Sequence, residues 1–196
     1  MYITEKIKYK IKKQGRGWVF TPRDFLNIRH FNTINPLLDR LEKRGEIRSL
    51  GKGLYDYPII DRETGKLKPP KLEGLIRALE VQLGDKFQFS GAYSAFLLGL
   101  TRRMPAELTY LSNKQSRVVE ICGYKIKISK TFIPTPKNKY DKATLAVQAL
   151  RYIGKSKVTH SILKATMAQL NAKELKKFQK LAKQIEWINY LVIDNA

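Results

Sequence analysis

TPRDFLNIRHFNTINPLLDRLEKRGEIRSLGKGLYDY, residues 21–57, is the stretch whose reading decides how the chain begins to fold. Thr21 is a good N-cap, Pro22 suits a first helical position because no donor is lost there, and Asp24 favours the positive end of a helix. Phe25, Leu26 and Ile28 supply a buried side, so a brief helix is predicted that ends near Ile28 or Arg29. Further on, Ile34, Leu37, Leu38 and Leu41 fall at i, i+3, i+4 and i+7, the apolar stripe of an amphipathic helix. Asn32 or Thr33 is expected to cap it, Pro36 to be tolerated within its first turn, and Gly45 to close it. The polar side opposite the stripe carries Thr33, Asn35, Arg40, Lys43 and Arg44. Two β-rich runs, Glu46–Leu50 and Leu54–Tyr57, then flank Gly51-Lys52-Gly53, which predicts a hairpin.

Upstream, Ile3, Ile7 and Ile11 recur once per turn and predict a first helix over residues 3–13, stopped by Gln14–Gly17. Trp18-Val19-Phe20 is a short apolar extended piece. A helix, a short helix, a tight turn, an amphipathic helix and a hairpin in this order is the pattern of a winged helix-turn-helix. Residues 1–60 are therefore expected to form a domain that binds double-stranded DNA. Its recognition helix would present Thr33, Asn35, Arg40, Lys43 and Arg44, while Arg48 on a strand and Lys52 at the wing tip would reach the backbone or minor groove. The same small architecture also serves protein contacts, and its charged outward face favours DNA.

The balance of charge points the same way. The chain has 38 Lys and Arg against 17 Asp and Glu, a net of +21, and such an excess attracts polyanions. Residues 1–70 hold 16 basic and 8 acidic side chains, and residues 71–196 hold 22 and 9, so both parts share it. The opening run MYITEKIKYKIKK alternates Ile with charge and lacks the apolar core of a secretory leader. No run approaches the roughly 20 apolar residues of a membrane span. The reading is a cytoplasmic protein without membrane contact.

Asp61–Pro70, DRETGKLKPP, reads as a linker, and residues 71–196 as a second domain. Leu72, Leu75, Ile76, Leu79 and Leu83 mark a helix, Phe87 and Phe89 a short strand, and Ser90 a cap for an apolar helix from Ala92 to Leu100. Residues 107–133 alternate strongly enough for three or four antiparallel strands. From Lys142 the pattern is helical again, through Leu145, Ala149 and Leu150, Ile162–Leu170, and a last helix or pair with Leu175, Phe178, Leu181, Ile185 and Ile188. The expected fold class is α+β, an N-terminal winged helix-turn-helix followed by an α+β domain with an antiparallel sheet and a helical C-terminal part. Lys125, Lys127 and Lys130 are read as one exposed row on a strand, and Lys173, Lys176, Lys177, Lys180 and Lys183 as a positive helical surface. Lys125, Lys127, Lys173, Lys176, Lys177 and Lys180 are thus a possible second DNA contact, although a lysine-rich face is ordinarily just solvated.

Little in the sequence suggests catalysis, so the chain is not expected to be an enzyme, and neither a metal nor a cofactor is expected. No Gly-rich phosphate loop or nucleophile elbow occurs. Asp61 and Glu63 before Lys66 sit in turn-like sequence, Cys122 beside Gly123 reads as a strand or turn residue, and His30 and His160 lie near helix starts.

The runs GWVFTPRDFL and LDRLEKRGEIRSLGKGLYDYP, followed by SGAYSAFLLGLTRRMPAELTYLS, SRVVEI and AVQALRYIGKSKVT, resemble the AbiEi antitoxin family of bacterial type IV toxin–antitoxin systems. The segment FNTINP, Phe31–Pro36, departs from the family pattern, so base preference does not carry over. The resemblance implies an autorepressing antitoxin that binds its own promoter operator and antagonises a nucleotidyltransferase toxin without a stable complex. The competing reading is an RNA-binding or toxin-binding adaptor that uses the winged helix as a protein-interaction module.

Overall fold

The computed structural model describes residues 2–193. It is an α+β fold in two compact units: the residues up to Asp85 together with Glu120–Tyr124, and Lys86–Val119 together with the residues from Lys125 on.

In the first unit, α1 (Ile3–Gln14) buries Ile7 and Ile11 and ends at Gly15, whose φ of 85° suits glycine. β1 (Val19–Phe20) is followed by a short 3-10 turn, Pro22–Phe25, where a helix to Ile28 or Arg29 is expected from sequence. Thr21 caps the turn as anticipated, and Asp24 adds a reciprocal bond not expected from the sequence. Thr21 accepts from Arg23 N, and Asp24 reaches back to Thr21 N at 2.9 Å. The turn stays tight because its bonds are of the i→i+3 kind, Asp24 N to Thr21 O at 3.0 Å and Ile28 N to Phe25 O at 2.8 Å.

Helix α2 spans Phe31–Lys43 and buries Ile34, Leu38 and Leu41, as the stripe demands. Its N-cap is His30 rather than Asn32 or Thr33. The His30 carbonyl receives both Thr33 N at 3.0 Å and Ile34 N at 3.1 Å, and no side chain caps the helix. Pro36 therefore stands inside the helix, beyond its first turn, and offers no N–H to the carbonyl of Asn32. β2 (Arg48–Gly51) and β3 (Leu54–Asp56) form the expected hairpin, with a register shift between Ser49 and Gly51. β1 pairs with β3, which makes a three-stranded sheet in the order β1-β3-β2.

Phe20 is the centre of this unit. Its ring stacks on Trp18 at 4.6 Å, meets Phe25 edge-on at 5.5 Å, and lies among buried Ile7, Ile11, Ile34, Leu38, Leu41 and Ile47. Each such side chain contributes about 1.5–3 kcal/mol by leaving water. Helix α3 (Leu72–Leu83) was expected in the second domain but belongs here. Arg77 donates to the Val19 carbonyl at 3.1 Å and to Asp24 at 2.5 Å, and its guanidinium lies over the Trp18 ring. The boundary accordingly falls at Asp85, and residues 61–70 are a connection within the first unit.

The second sheet contains β4 (Gln88–Phe89), β5 (Leu108–Ser112), β6 (Arg117–Ile121) and β7 (Tyr124–Lys130), in the order β4-β5-β7-β6. It is mixed, not antiparallel throughout. β5 runs parallel to β7, with Leu108 opposite Ile126 and Ser112 opposite Lys130. Helix α4 (Gly91–Leu97), capped by Ser90, lies against α5 (Lys142–Ile153). Every residue of α5 from Ala143 to Leu150 is buried, so it is the core element of the unit. Gly91 permits the approach, since a Cβ there would fall 2.6 Å from the Gln148 carbonyl. α6 (His160–Met167), α7 (Ala172–Ala182) and α8 (Glu186–Ile193) complete the helical part. No helix among the described residues is long and apolar enough to cross a membrane.

Candidate nucleic-acid interface

The position of the buried stripe on α2 determines which polar residues point outward. At about 100° per residue, Thr33, Pro36, Arg40, Lys43 and Arg44 share the outer side and one flank. Asn35 lies roughly 140° round from Arg40, on the other flank with Asp39 and Glu42. All of these side chains are exposed. The five expected contact residues therefore split into three cations with Thr33 on one side and a lone Asn35 among acids on the other.

The acidic flank faces the hairpin. Tyr55 donates its hydroxyl to Asp39 at 3.4 Å, and its pKa is raised by burial first and then by the charges of Asp39 and Glu42. Arg40, Lys43 and Arg44 have no carboxylate partner among the described residues. The last turn of α2 thus combines three unneutralised cations with a wide exposed surface.

The hairpin divides the two remaining residues of the expected contact set. Lys52 is exposed at the tip with φ 53°, between two left-handed glycines, and its carbonyl accepts a hydrogen bond from Gln82. That bond ties the tip to α3. Arg48 is not available to a ligand in the way its strand position suggested. Its Nε donates to Asp56 Oδ1 at 3.0 Å, and its Nη2 to Asp56 Oδ2 at 2.6 Å and to the Lys68 carbonyl at 3.0 Å. The hydrogen bonds to buried Asp56 raise the pKa of Arg48, against the opposing effect of burial. Sequence reasoning missed this pair, although a hairpin centred on Lys52 places residue 48 opposite residue 56.

Between α1, the end of α2 and the segment after β3 lies a cavity of about 340 Å³ floored by Ile11, Leu41, Ile47 and Tyr57. Its basic rim is largely occupied. Lys8 pairs with Glu46 at 2.8 Å, and Arg16 donates to the Pro58 carbonyl and stacks over Tyr57.

In the second unit the two lysine sets fare differently. Lys125 and Lys127 are exposed on one face of β7 while Ile126 and Ile128 are buried. Lys130 shares the alternation of Ile126 and Ile128, so it does not extend that row and is exposed only because the strand ends there. Lys127 has Glu107 at 3.8 Å. On α7, Lys173, Lys176, Lys177 and Lys180 are exposed, and Lys183 follows at its C-cap. Lys177 is committed to Asp141 at 2.8 Å, a contact that helps position the α5 N-cap.

The residues weighed for chemistry are dispersed. Asp61 closes a turn by accepting from Glu63 N and Thr64 N, and its pKa is lowered first by the Thr64 bond and then by Lys68. Cys122 is an exposed turn residue at φ 49° whose thiol is raised by partial desolvation. Among the described residues, no group of three His, Cys, Asp or Glu side chains is placed to hold a metal ion.

A search of curated proteins gives no match to the chain. Residues 6–179 match a family of unknown function, DUF6088, and since this is most of its length the chain belongs to that family.

Proposed function

We propose that the protein is a sequence-specific double-stranded DNA-binding protein whose first unit works as a winged helix-turn-helix. In this reading α2 is the recognition helix and the β2–β3 hairpin is the wing. The observation that carries it is the last turn of α2, where Arg40, Lys43 and Arg44 are exposed and unneutralised on a helix whose opposite side is locked into the core. Arginine reads guanine edges by a bidentate contact, and lysine holds phosphate as a point charge. Arg40, with Thr33 on the same flank, is assigned to base edges, and Lys43, Arg44 and Lys52 to the backbone. Arg48 is assigned to holding the hairpin in shape through Asp56.

The likeness to AbiEi antitoxins extends this to biology: the protein would repress its own promoter and oppose an adjacent nucleotidyltransferase toxin in the cytoplasm, without forming a stable complex with it. Arg40→Ala is the direct test of readout. It is expected to cost about 1–3 kcal/mol on DNA from upstream of the reading frame and much less on unrelated DNA. Equal losses on both would reduce Arg40 to a phosphate contact and remove the specificity claim. Co-expression with the adjacent toxin should relieve its toxicity, and a stoichiometric co-purifying complex would exclude the type IV arrangement.

A further inference from the structure

One basic side chain in the second unit has surroundings unlike any lysine described so far. Arg151, in the last turn of α5, is only partly exposed, and no carboxylate pairs with it among the described residues. Its Nη1 donates to Thr131 Oγ1 at 3.3 Å and to Gln148 Oε1 at 3.1 Å. Gln148, almost completely buried, in turn donates to Gln88 Oε1 at 2.9 Å, and Gln88 donates to the Ile133 carbonyl at 2.7 Å. Asn113 fastens the same segment through the Thr131 and Ile133 carbonyls, at 2.9 and 2.8 Å. Each of these supporting side chains is neutral.

A buried polar network is costly unless its members satisfy one another, and a partly buried cation is costly unless an anion meets it. Here the first condition is met and the second is not. Burial lowers the pKa of Arg151 from its ordinary value, with no acid acting in the other direction. The network fixes one nitrogen of the guanidinium, leaving Nε and Nη2 as a free edge with the fork geometry that suits a phosphate.

The group also packs against an aromatic ring. The Arg151 guanidinium sits 4.5 Å from the centroid of Phe132, and Phe132 is 57% exposed. A large aromatic held open to water beside an oriented arginine is a stacking surface for an unpaired base. Bases in a duplex are stacked on one another and cannot use it.

We propose that Arg151 and Phe132 form a contact for single-stranded nucleic acid, with a phosphate on the free edge of Arg151 and a base stacked on Phe132. The contact lies wholly within the second unit and does not depend on duplex recognition by α2, so either can fail alone. The same phosphate chemistry is offered by a free nucleotide, and the experiment separates the two sources.

The measurement is fluorescence anisotropy of the full chain with a labelled oligouridylate of about 12 nucleotides, within the span that single-strand binders cover. A duplex of equal length is titrated in parallel, and unlabelled oligouridylate, AMP and inorganic phosphate serve as competitors. Phe132→Ala removes only an exposed ring and should keep the fold, as near-ultraviolet circular dichroism would verify. It is expected to weaken single-strand binding roughly 5- to 100-fold, the effect of losing one stacked base, and to leave the duplex unaffected. Arg151→Met should weaken it comparably and reduce the salt slope by about 0.7, one single-strand phosphate contact. Arg151→Lys should recover the slope but only part of the affinity. Competition by oligouridylate well below the concentration needed for AMP identifies a strand as the ligand. Full displacement by AMP at equal concentration would make the site one for free nucleotides and overturn the strand assignment. Unchanged binding in both Phe132→Ala and Arg151→Met would overturn the site altogether.

Discussion

Arg48 in the first unit and Arg151 in the second are both partly buried arginines, yet their environments are opposite. Arg48 meets a buried carboxylate through two hydrogen bonds, at 3.0 and 2.6 Å, and its charge is spent on joining β2 to β3. Arg151 meets two neutral oxygens and an aromatic ring, and its charge is unspent. The comparison shows that counting basic residues says little about ligand binding until each partner is known. An arginine with an internal acid is part of the scaffold, while one that is positioned without an acid has charge left to offer a ligand.

The sharpest way to break this contrast is to remove Asp56. Asp56→Ala strands the Arg48 charge in a partly buried position and should cost on the order of 3 kcal/mol in chemical denaturation, less than a fully enclosed pair because Arg48 keeps some solvent contact. A loss under about 0.5 kcal/mol would put Arg48 in the class of solvated surface pairs. Next in size is Arg77→Ala, which removes the Asp24 pair, the Val19 carbonyl bond and the Trp18 stack together. About 1.5–3 kcal/mol is expected, since hydrogen bonds to charged groups contribute about that much. Trp18 fluorescence should also shift, which a purely electrostatic role would not require.

Asp141→Ala probes how the second unit spends a carboxylate. Asp141 caps α5 through Thr144 N at 2.9 Å and holds Lys177 at 2.8 Å. Burial pushes its pKa up, but the hydrogen bonds from Lys177 and Thr144 outweigh this and leave it lowered. A carboxyl with a depressed native pKa stabilises fully above its unfolded value and stops doing so as the pH falls through the native one. The variant should therefore lose about 1 kcal/mol at neutral pH, and the gap to the parent should close only in acid, below the ordinary carboxylate range. A gap independent of pH would assign the loss to packing. Arg151→Met is expected to cost no more than about 1 kcal/mol, because relief of an unpaired, partly buried guanidinium offsets part of the cost of leaving Gln148 Oε1 without its donor. If it destabilised as much as Asp56→Ala, Arg151 would be scaffold too and the contrast would collapse.

The parts of this fold that were legible in the sequence are those determined locally. The Ile34–Leu41 stripe, the Thr21 cap, the Gly51–Gly53 turn and the Ser90 cap each lie within a few residues and each formed. The start of α2 was not legible, because His30 caps it with a backbone carbonyl and no side-chain signature announces that. The parallel pairing of β5 with β7 was hidden for a different reason: alternation reports which face of a strand is buried, not which neighbour it takes. The place of α3 hinges on Arg77 and Asp24, 53 residues apart. At the site, the cations of α2 could be read from helical spacing, whereas Arg151 could not, since its partners Thr131 and Phe132 lie in the segment after β7, far from it in sequence.

Pro36 loosens the start of α2. With no side-chain cap ahead of it and one ladder bond missing at Asn32, the first turn of α2 is held to the rest of the helix by fewer hydrogen bonds than the last. Its amides should exchange with deuterium well before those near Leu41, through local opening rather than global unfolding. If α2 docks on DNA, Thr33 sits in the turn that must be quieted on docking, while Arg40 sits in the turn already rigid. Binding would then carry an ordering cost concentrated at one end of the helix, visible as slowed exchange there in the complex and an unfavourable entropy in calorimetry.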